Sequence, residues 1–330
     1  MNISVVGATG LVGREVIETL ESRNFPVDRI RFFASSHSTG EMLVWRESSL
    51  SVEVLDEEHF HPASGELVFM CVDAAISRHF VPQALDCGAI VIDNSSAFRL
   101  EPDVPLIVPE VNGDLLQEGG VSLIANPNCS TAQLVMALAP LASEFGLQRV
   151  IVSTYQSTAG VGQDGIDELS SQVVSLLNQK PISTAIFPRQ IAFNCIPQIG
   201  PFDEEGNSEE ELKIVGETRK ILRLPDLAVA ATAVRVPTFC GHAQAVLAET
   251  NTPVTPADVF AVFSGRRGVT VYPHQEEYPD VISSIGTDDV LIGRIRRDPT
   301  VPFGIQFWTV ADNLRKGAAL NAVQIAEMLL

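Results

Sequence analysis

The stretch Gly7-Ala8-Thr9-Gly10-Leu11-Val12-Gly13 constrains this chain more than any other. It lies between an apolar run at 3–6 and a segment of helical periodicity at 12–20. Glycines at that spacing let a strand turn tightly into a helix. They also let the backbone approach a pyrophosphate resting on the helix N-terminus. A glycine motif alone equally fits an ordinary strand–helix turn, and its place after a first strand is what points to a dinucleotide.

The pattern downstream agrees. Short, branched-rich runs recur at 30–34, 67–71, 90–92, 106–108 and 123–125, with a second helical segment at 77–86. Such runs suit buried parallel strands, and their alternation with helices implies right-handed crossovers and a doubly wound α/β sheet. After the turn Asn126-Pro127-Asn128 and a helix over 130–145 the pattern changes. Strand-like runs at 150–155, 229–236, 244–249 and 304–310 surround helical segments at 163–177 and 209–222. That predicts an α+β region with a mixed or antiparallel sheet. Residues 313–330 read as a helix whose apolar side needs cover. The 330 residues are enough for about two domains. The expected class is therefore α/β, a Rossmann-type dinucleotide-binding domain followed by an α+β domain.

Charge narrows the partners. The chain carries 22 Lys and Arg against 41 Asp and Glu, a formal net charge of −19. No basic run could form a nucleic-acid or anionic-membrane face, and no apolar run reaches the roughly 18 residues of a membrane span. The N-terminus lacks the basic and apolar regions of a signal peptide, so a cytoplasmic protein is expected. The lysines are Lys180, Lys213, Lys220 and Lys316, so an anionic small molecule would be met by a few placed cations. Five cysteines without a CxxC suggest reduced thiols, with neither a disulfide frame nor a metal site.

The cofactor leaves a second trace. NAD sites usually place a carboxylate near the end of the second strand, against the ribose hydroxyls. Here the chain reads Phe33-Ala34-Ser35-Ser36-His37-Ser38. Hydroxyls accommodate a 2′-phosphate that a carboxylate would repel, which favours NADP while leaving NAD open.

Cys129 is the candidate nucleophile. It falls at the start of a helix, where amides and the helix dipole favour a thiolate. A small buried hydrophobe is the alternative for any cysteine, and it is the expectation for Cys71, Cys87 and Cys195. Glu210 and Lys213, at i and i+3, share a helix face and fit either a surface ion pair or a ligand site. Arg99, Arg235 and His242 are further candidates that spacing cannot assemble.

Together these residues fit a known family. The chain resembles aspartate-β-semialdehyde dehydrogenase through GATGLVG (7–13), VIDNSSAFR (91–99), VPEVN (108–112), NPNCST (126–131) and STYQ (153–156). QIAFNCIPQI (190–199), RVP with GH (235–242) and DNLRKGAALNAVQIAE (312–327) complete the series. The resemblance implies NADP-dependent interconversion of L-aspartate 4-semialdehyde plus phosphate with 4-phospho-L-aspartate. The cellular direction would be reduction, toward lysine, diaminopimelate, methionine, threonine and isoleucine. It implies Cys129 as nucleophile through a thioacyl enzyme, His242 as general acid/base, and Gln156 orienting the intermediate. Asn128 and the Cys129 amide would meet the oxyanion. Arg235 would hold the substrate α-carboxylate, Glu210 its ammonium group, and Arg99 and Lys213 the phosphate. Gly7, Thr9, Gly10, Leu11, Val12, Ser35, Ser36, Gly160 and Asn313 would contact the cofactor. Residues 1–127, completed by a C-terminal helix at 313–330, would bind the dinucleotide, and 128–312 would catalyse and form a homodimer.

Three departures accompany the resemblance. His37 stands where an arginine often follows the second-strand serines, Ala159 where a serine is usual, and Gln244 where a glutamate is common. Two other readings remain open on the sequence. One is a reductase for a neutral, acetylated acyl phosphate, which would not need Glu210. The other is a paralogue that binds nucleotide without turnover.

Overall fold

The structure is a computed structural model that describes residues 1–117 and 119–330. The chain forms two compact units, Met1–Asn128 with Ala318–Leu330, and Cys129–Gly317.

In the first unit, β1 (Asn2–Val6) runs into α1 (Leu11–Ser22) and β2 (Arg29–Ala34). A hairpin of β3 (Met42–Trp45) and β4 (Ser48–Ser51) precedes β5 (Glu53–Val54) and β6 (Leu67–Met70). Next come α2 (Ala74–Asp86), β7 (Ile90–Asp93), the short α3 (Pro109–Asn112) and β8 (Leu123–Ala125). The sheet order is β5-β2-β1-β6-β7-β8, with every pair parallel. All four residues of β6 are buried, as a sheet covered on both faces requires. Successive residues of β1 serve different layers. Ile3 and Val5 join Val16, Ile17 and Leu20 of α1, while Val6 joins Phe80, Val81 and Ala84 of α2.

In the second unit, α4 (Cys129–Phe145) leads into β9 (Leu147–Gln156), α5 (Gln163–Leu177), α6 (Glu209–Leu222) and β10 (Ala228–Arg235). Then come β11 (His242–Thr250), α7 (Pro256–Phe263), β12 (Val269–Val271), α8 (Val281–Ser284), β13 (Val290–Asp298) and β14 (Gly304–Ala311). The order β10-β9-β11-β14-β13-β12 is mixed, antiparallel in the middle and parallel at both edges. On β9 burial alternates, with Val150, Val152, Thr154 and Gln156 buried and Ile151 and Tyr155 exposed. One face of this sheet is covered and the other open.

Three expectations need correction. The run at 106–108 makes only a single bridge, Leu106 to Ala125, because Pro105 and Pro109 bracket it and cannot donate to a ladder. Residues 313–330 are not one helix. Arg315–Ala319 form a π-helical turn, with the Gly317 amide on the Asp312 carbonyl, and only Leu320–Glu327 (α9) are α-helical. That helix packs on α1, and Arg23 grips Glu327 through a two-bond fork of 2.6 and 2.7 Å. Finally, Cys195 is exposed, because Ile191, Ala192 and Ile196 reach the core of their segment and the residues between them do not. No helix among the described residues is long and apolar enough to cross a membrane.

Candidate functional site

The second unit gathers one set of polar groups, and sheet register explains how. Gln156, at the end of β9, pairs with Arg235 on β10 and with His242 on β11. Three polar residues thus stand in a row across adjacent strands. All are buried, with Arg235 3%, Gln156 1% and His242 0% exposed. A row of this kind is costly unless its groups are satisfied or used.

Each member is held separately. Gln156 Nε2 donates to Glu210 Oε1 at 3.0 Å. Glu210 lies in the first turn of α6, a start reinforced by the Ser208 amide donating to Glu211 at 2.6 Å. Arg235 Nη1 donates to the Ser157 carbonyl at 2.7 Å. Burial pulls the Arg235 guanidinium below its ordinary range, opposed by the charges of Glu210 and Cys129. Gly160 is glycine for lack of space: a Cβ there would sit 2.6 Å from Arg235 Nη1 and 3.5 Å from His242 Nε2.

His242 is fixed in orientation and charge. The Ser157 amide N–H donates to its Nδ1 at 3.2 Å, and the Ser157 hydroxyl lies equally near. A backbone donor cannot turn away, so Nδ1 serves as acceptor and the neutral ring carries its proton on Nε2. Burial, reinforced by Arg235, depresses the His242 pKa to about 3. Nε2 itself is buried and makes no hydrogen bond among the described residues. Asn313 braces this corner, with Oδ1 accepting from the Gly241 amide at 2.8 Å and the Ser157 hydroxyl at 3.1 Å.

Cys129 opens α4 after Pro127 and Asn128. A residue before proline avoids helical geometry and asparagine favours helix starts, so the helix begins where the thiol is. No acidic residue occupies its first turn, leaving the dipole to favour a thiolate. Gln244, on the same face of β11 as His242, donates to the Ser130 carbonyl at 2.7 Å. Gly317 packs so closely that a Cβ on it would lie 2.7 Å from Cys129 Cβ.

Lys213 bonds to none of these groups. Its ammonium pairs with Glu209 at 2.6 Å, while Glu210 turns to Gln156. The surface ion pair that i, i+3 spacing allows between Glu210 and Lys213, one of the two readings of that spacing, does not form.

In the first unit, Arg99 is buried and donates to the carbonyls of Asn126 at 2.8 Å and Asn94 at 2.6 Å. Asn126 is in turn tied to Asn94 at 2.9 Å and to Asn321 of α9 at 2.7 Å. Asn128 is buried at the end of the same strand-to-helix turn.

The glycine loop fits a pyrophosphate. Gly7 has φ +79°, and a Cβ there would meet the Cys71 carbonyl oxygen at 2.3 Å. At Gly13 a Cβ would lie 2.2 Å from the Gly7 carbonyl oxygen. Leu11 and Val12 begin α1, whose N-cap is Gly10, with no side-chain cap and no acid in the first turn. The open amides there suit an anion. Ser35 and Ser36 are exposed beyond β2, and Thr9 Oγ1 lies 3.4 Å from Ser38 Oγ.

Sequence reasoning passed over Ser157, Gly317 and the carbonyl grip of Gln244. Nothing in the chain marks Ser157 except that it follows Gln156. Among the other cysteines, burial and the nearby Asp93 push the Cys71 thiol up, away from reactivity.

A glycine cradle at the end of a parallel sheet, and in the other unit a helix-start thiol and a buried imidazole, define a nucleotide-dependent dehydrogenase with a thiol nucleophile. Family models agree, matching a semialdehyde dehydrogenase NAD-binding domain over residues 2–119 and a semialdehyde dehydrogenase dimerisation domain over 138–316. Aspartate-semialdehyde dehydrogenase of Shewanella violacea is 44% identical, covering 100% of this chain and 97% of its own. That of Bacillus subtilis is 43% identical, covering 100% and 97%. The crystal structure of aspartate semialdehyde dehydrogenase II from Vibrio cholerae, complexed with ASA, superposes with a TM-score of 0.95 at 42% identity, over 99% and 97% of the two chains. The chain belongs to the aspartate-semialdehyde dehydrogenase family.

Proposed function

We propose that this chain reduces 4-phospho-L-aspartate to L-aspartate 4-semialdehyde with NADPH, reversibly, as a step of amino-acid biosynthesis in the cytoplasm. The observation that carries the reading is the row Arg235–Gln156–His242 with Glu210 beside it. A buried cation and a buried anion flanking one carboxamide suit a zwitterionic amino-acid substrate, with Arg235 forking onto its carboxylate and Glu210 meeting its ammonium group.

Cys129 attacks the carbonyl carbon of the acyl phosphate, forming a C–S bond as phosphate departs and leaving a thioacyl enzyme. In the reverse direction the thiolate adds to the aldehyde as a thiohemiacetal. Between these two states a nicotinamide held by the glycine loop would, when bound, supply the hydride chemistry. His242 handles the proton at the reacting oxygen through Nε2. Gln156 orients the intermediate. Asn128 and the Cys129 amide stabilise the oxyanion. Arg99 and Lys213 receive the phosphate, a planar fork and a point charge on one anion.

The division of labour is part of the proposal. Residues 1–127 with the C-terminal segment 313–330 bind the dinucleotide through Gly7, Thr9, Gly10, Leu11, Val12, Ser35 and Ser36. Residues 128–312 carry the chemistry; Gly160, and Asn313 from the C-terminal segment, would hold the cofactor when it binds, and Asn313 also braces the loop that orients the histidine. The open face of the second sheet joins two copies into a homodimer. A groove of about 520 Å³ on that face is lined by Tyr155, Ala245, Tyr278, Arg294 and Trp308 among others.

The test is phosphate-dependent reduction of NADP by L-aspartate 4-semialdehyde, run beside NAD and a Cys129→Ala variant. The expected result is turnover that needs phosphate and Cys129 and prefers NADP. Folded protein that turns over with neither cofactor would defeat the proposal.

A further inference from the structure

We propose that Arg14 is the cation that selects a 2′-phosphorylated nucleotide in this chain, and that Glu41 tempers it. The inference rests on the NADP reading and deepens it. A 2′-phosphate on the adenine ribose lies near the end of the second strand of such a sheet, where an arginine commonly accommodates it. In this chain the loop after β2, residues 35–39, carries hydroxyls and a histidine but no arginine or lysine. The cation at that mouth comes instead from α1.

The geometry is specific. Arg14 lies one turn into α1, its amide bonded to the Gly10 carbonyl at 3.0 Å. Its Nε donates to the Thr9 carbonyl at 3.0 Å, which anchors the guanidinium to the glycine loop. Thr9 Oγ1 in turn lies 3.4 Å from Ser38 Oγ, so the glycine loop, the loop after β2 and the guanidinium meet at one place. Nη2 reaches Glu41 Oε1 at 2.6 Å, and Nη1 makes no hydrogen bond among the described residues. Glu41 is held in the same loop by its own amide, which donates to the Ser38 carbonyl at 3.1 Å.

Both charged side chains are well exposed, 45% for Arg14 and 41% for Glu41. An exposed ion pair is weak and exchanges readily. A phosphate dianion offers the guanidinium a stronger, forked partner. The anchored Nε leaves both terminal nitrogens to make that exchange. Glu41 then competes with the phosphate for the guanidinium.

Calorimetric titration with 2′,5′-ADP and with 5′-ADP at fixed salt tests this without turnover. The wild-type chain is expected to bind 2′,5′-ADP more tightly than 5′-ADP. Arg14→Gln should weaken 2′,5′-ADP binding about ten-fold or more, the scale of one charged hydrogen bond. Its affinity for 5′-ADP should stay within about two-fold, and Arg14→Lys should recover part of the preference. Glu41→Gln should tighten 2′,5′-ADP. An Arg14→Gln variant that keeps the wild-type preference, or that loses both ligands equally, overturns the role of Arg14 and leaves the NADP reading standing. A wild-type chain with no preference for 2′,5′-ADP overturns the NADP reading and the inference with it. Unchanged or weaker binding by Glu41→Gln removes Glu41 from the proposal.

Discussion

The two units build their sites from different materials. The first makes its cradle from backbone: Gly7 and Gly13 matter for side chains they do not have, and the side chains beyond β2 stand in the open. The second makes its site from buried polar side chains, each tied to a neighbour. A backbone cradle can change its ligand preference through exposed positions such as Arg14 without disturbing the fold. In a buried row such as Arg235–Gln156–His242, every change leaves some neighbour unsatisfied. Selectivity can therefore vary in one unit while the chemistry of the other stays fixed.

Substitutions can break this comparison, and the largest effect belongs to the thiol. Cys129→Ala is expected to lower turnover at least about 10³-fold while nucleotide affinity, measured by titration, stays at the wild-type value. Loss of both would show that the two units are not separable. Arg235→Lys keeps the charge but removes the fork, and kcat/KM for the semialdehyde should fall about 10²-fold. Steady-state kinetics reads it.

Gly13→Ala reverses the pattern. A Cβ 2.2 Å from a backbone oxygen forces the loop to shift, so nucleotide binding should collapse and the melting temperature should drop. Stability should fall by about 1–3 kcal/mol. Alkylation of Cys129 by iodoacetamide should proceed at the wild-type rate on the variant that remains folded.

A subtler test uses acid. His242 titrates near 3 in the folded chain against an ordinary 6.5. Between those values the unfolded chain binds the extra proton, so the stability due to this neutral ring is present above about pH 6.5 and lost as pH falls toward 3. His242→Asn should flatten that part of the denaturation profile. A variant whose acid limb matches the wild type would mean that His242 is not held neutral. The smallest change is expected from Ser157→Ala. The backbone amide that meets Nδ1 survives it, so kcat should fall less than about five-fold, the scale of one neutral hydrogen bond. A large loss would transfer the orienting role from the amide to the hydroxyl.

The same contrast explains what could be read from the chain. The parallel sheet was legible because runs such as Leu67–Met70 are apolar throughout, and the glycine loop because spacing itself carries its meaning. Cys129 could be singled out because Asn-Pro-Asn fixes a helix start. The partners of His242 were not legible from spacing. Gln156, Glu210, Arg235 and Asn313 come from separate elements, and only strand register and the start of α6 bring them together. Resemblance named them, but it could not show that Lys213 turns to Glu209 or that Ser157 fixes the imidazole. The π-helical turn was missed because DNLRKGAALNA has ordinary helical composition, and a single amide reaching five residues back leaves no compositional trace.

The two tryptophans fall one to each unit. Trp45 is buried in the hairpin beneath Arg46, its guanidinium carbon 4.9 Å from the ring centre. Trp308 lies half-buried on the open sheet face, with its ring centre 5.3 Å from that of Tyr155. Emission from the native chain is thus a mixture of two reporters, and a Trp45→Phe variant isolates the second. If that face is where two copies meet, the isolated emission will shift to the red on dilution, and the midpoint of the shift will read the dissociation constant directly.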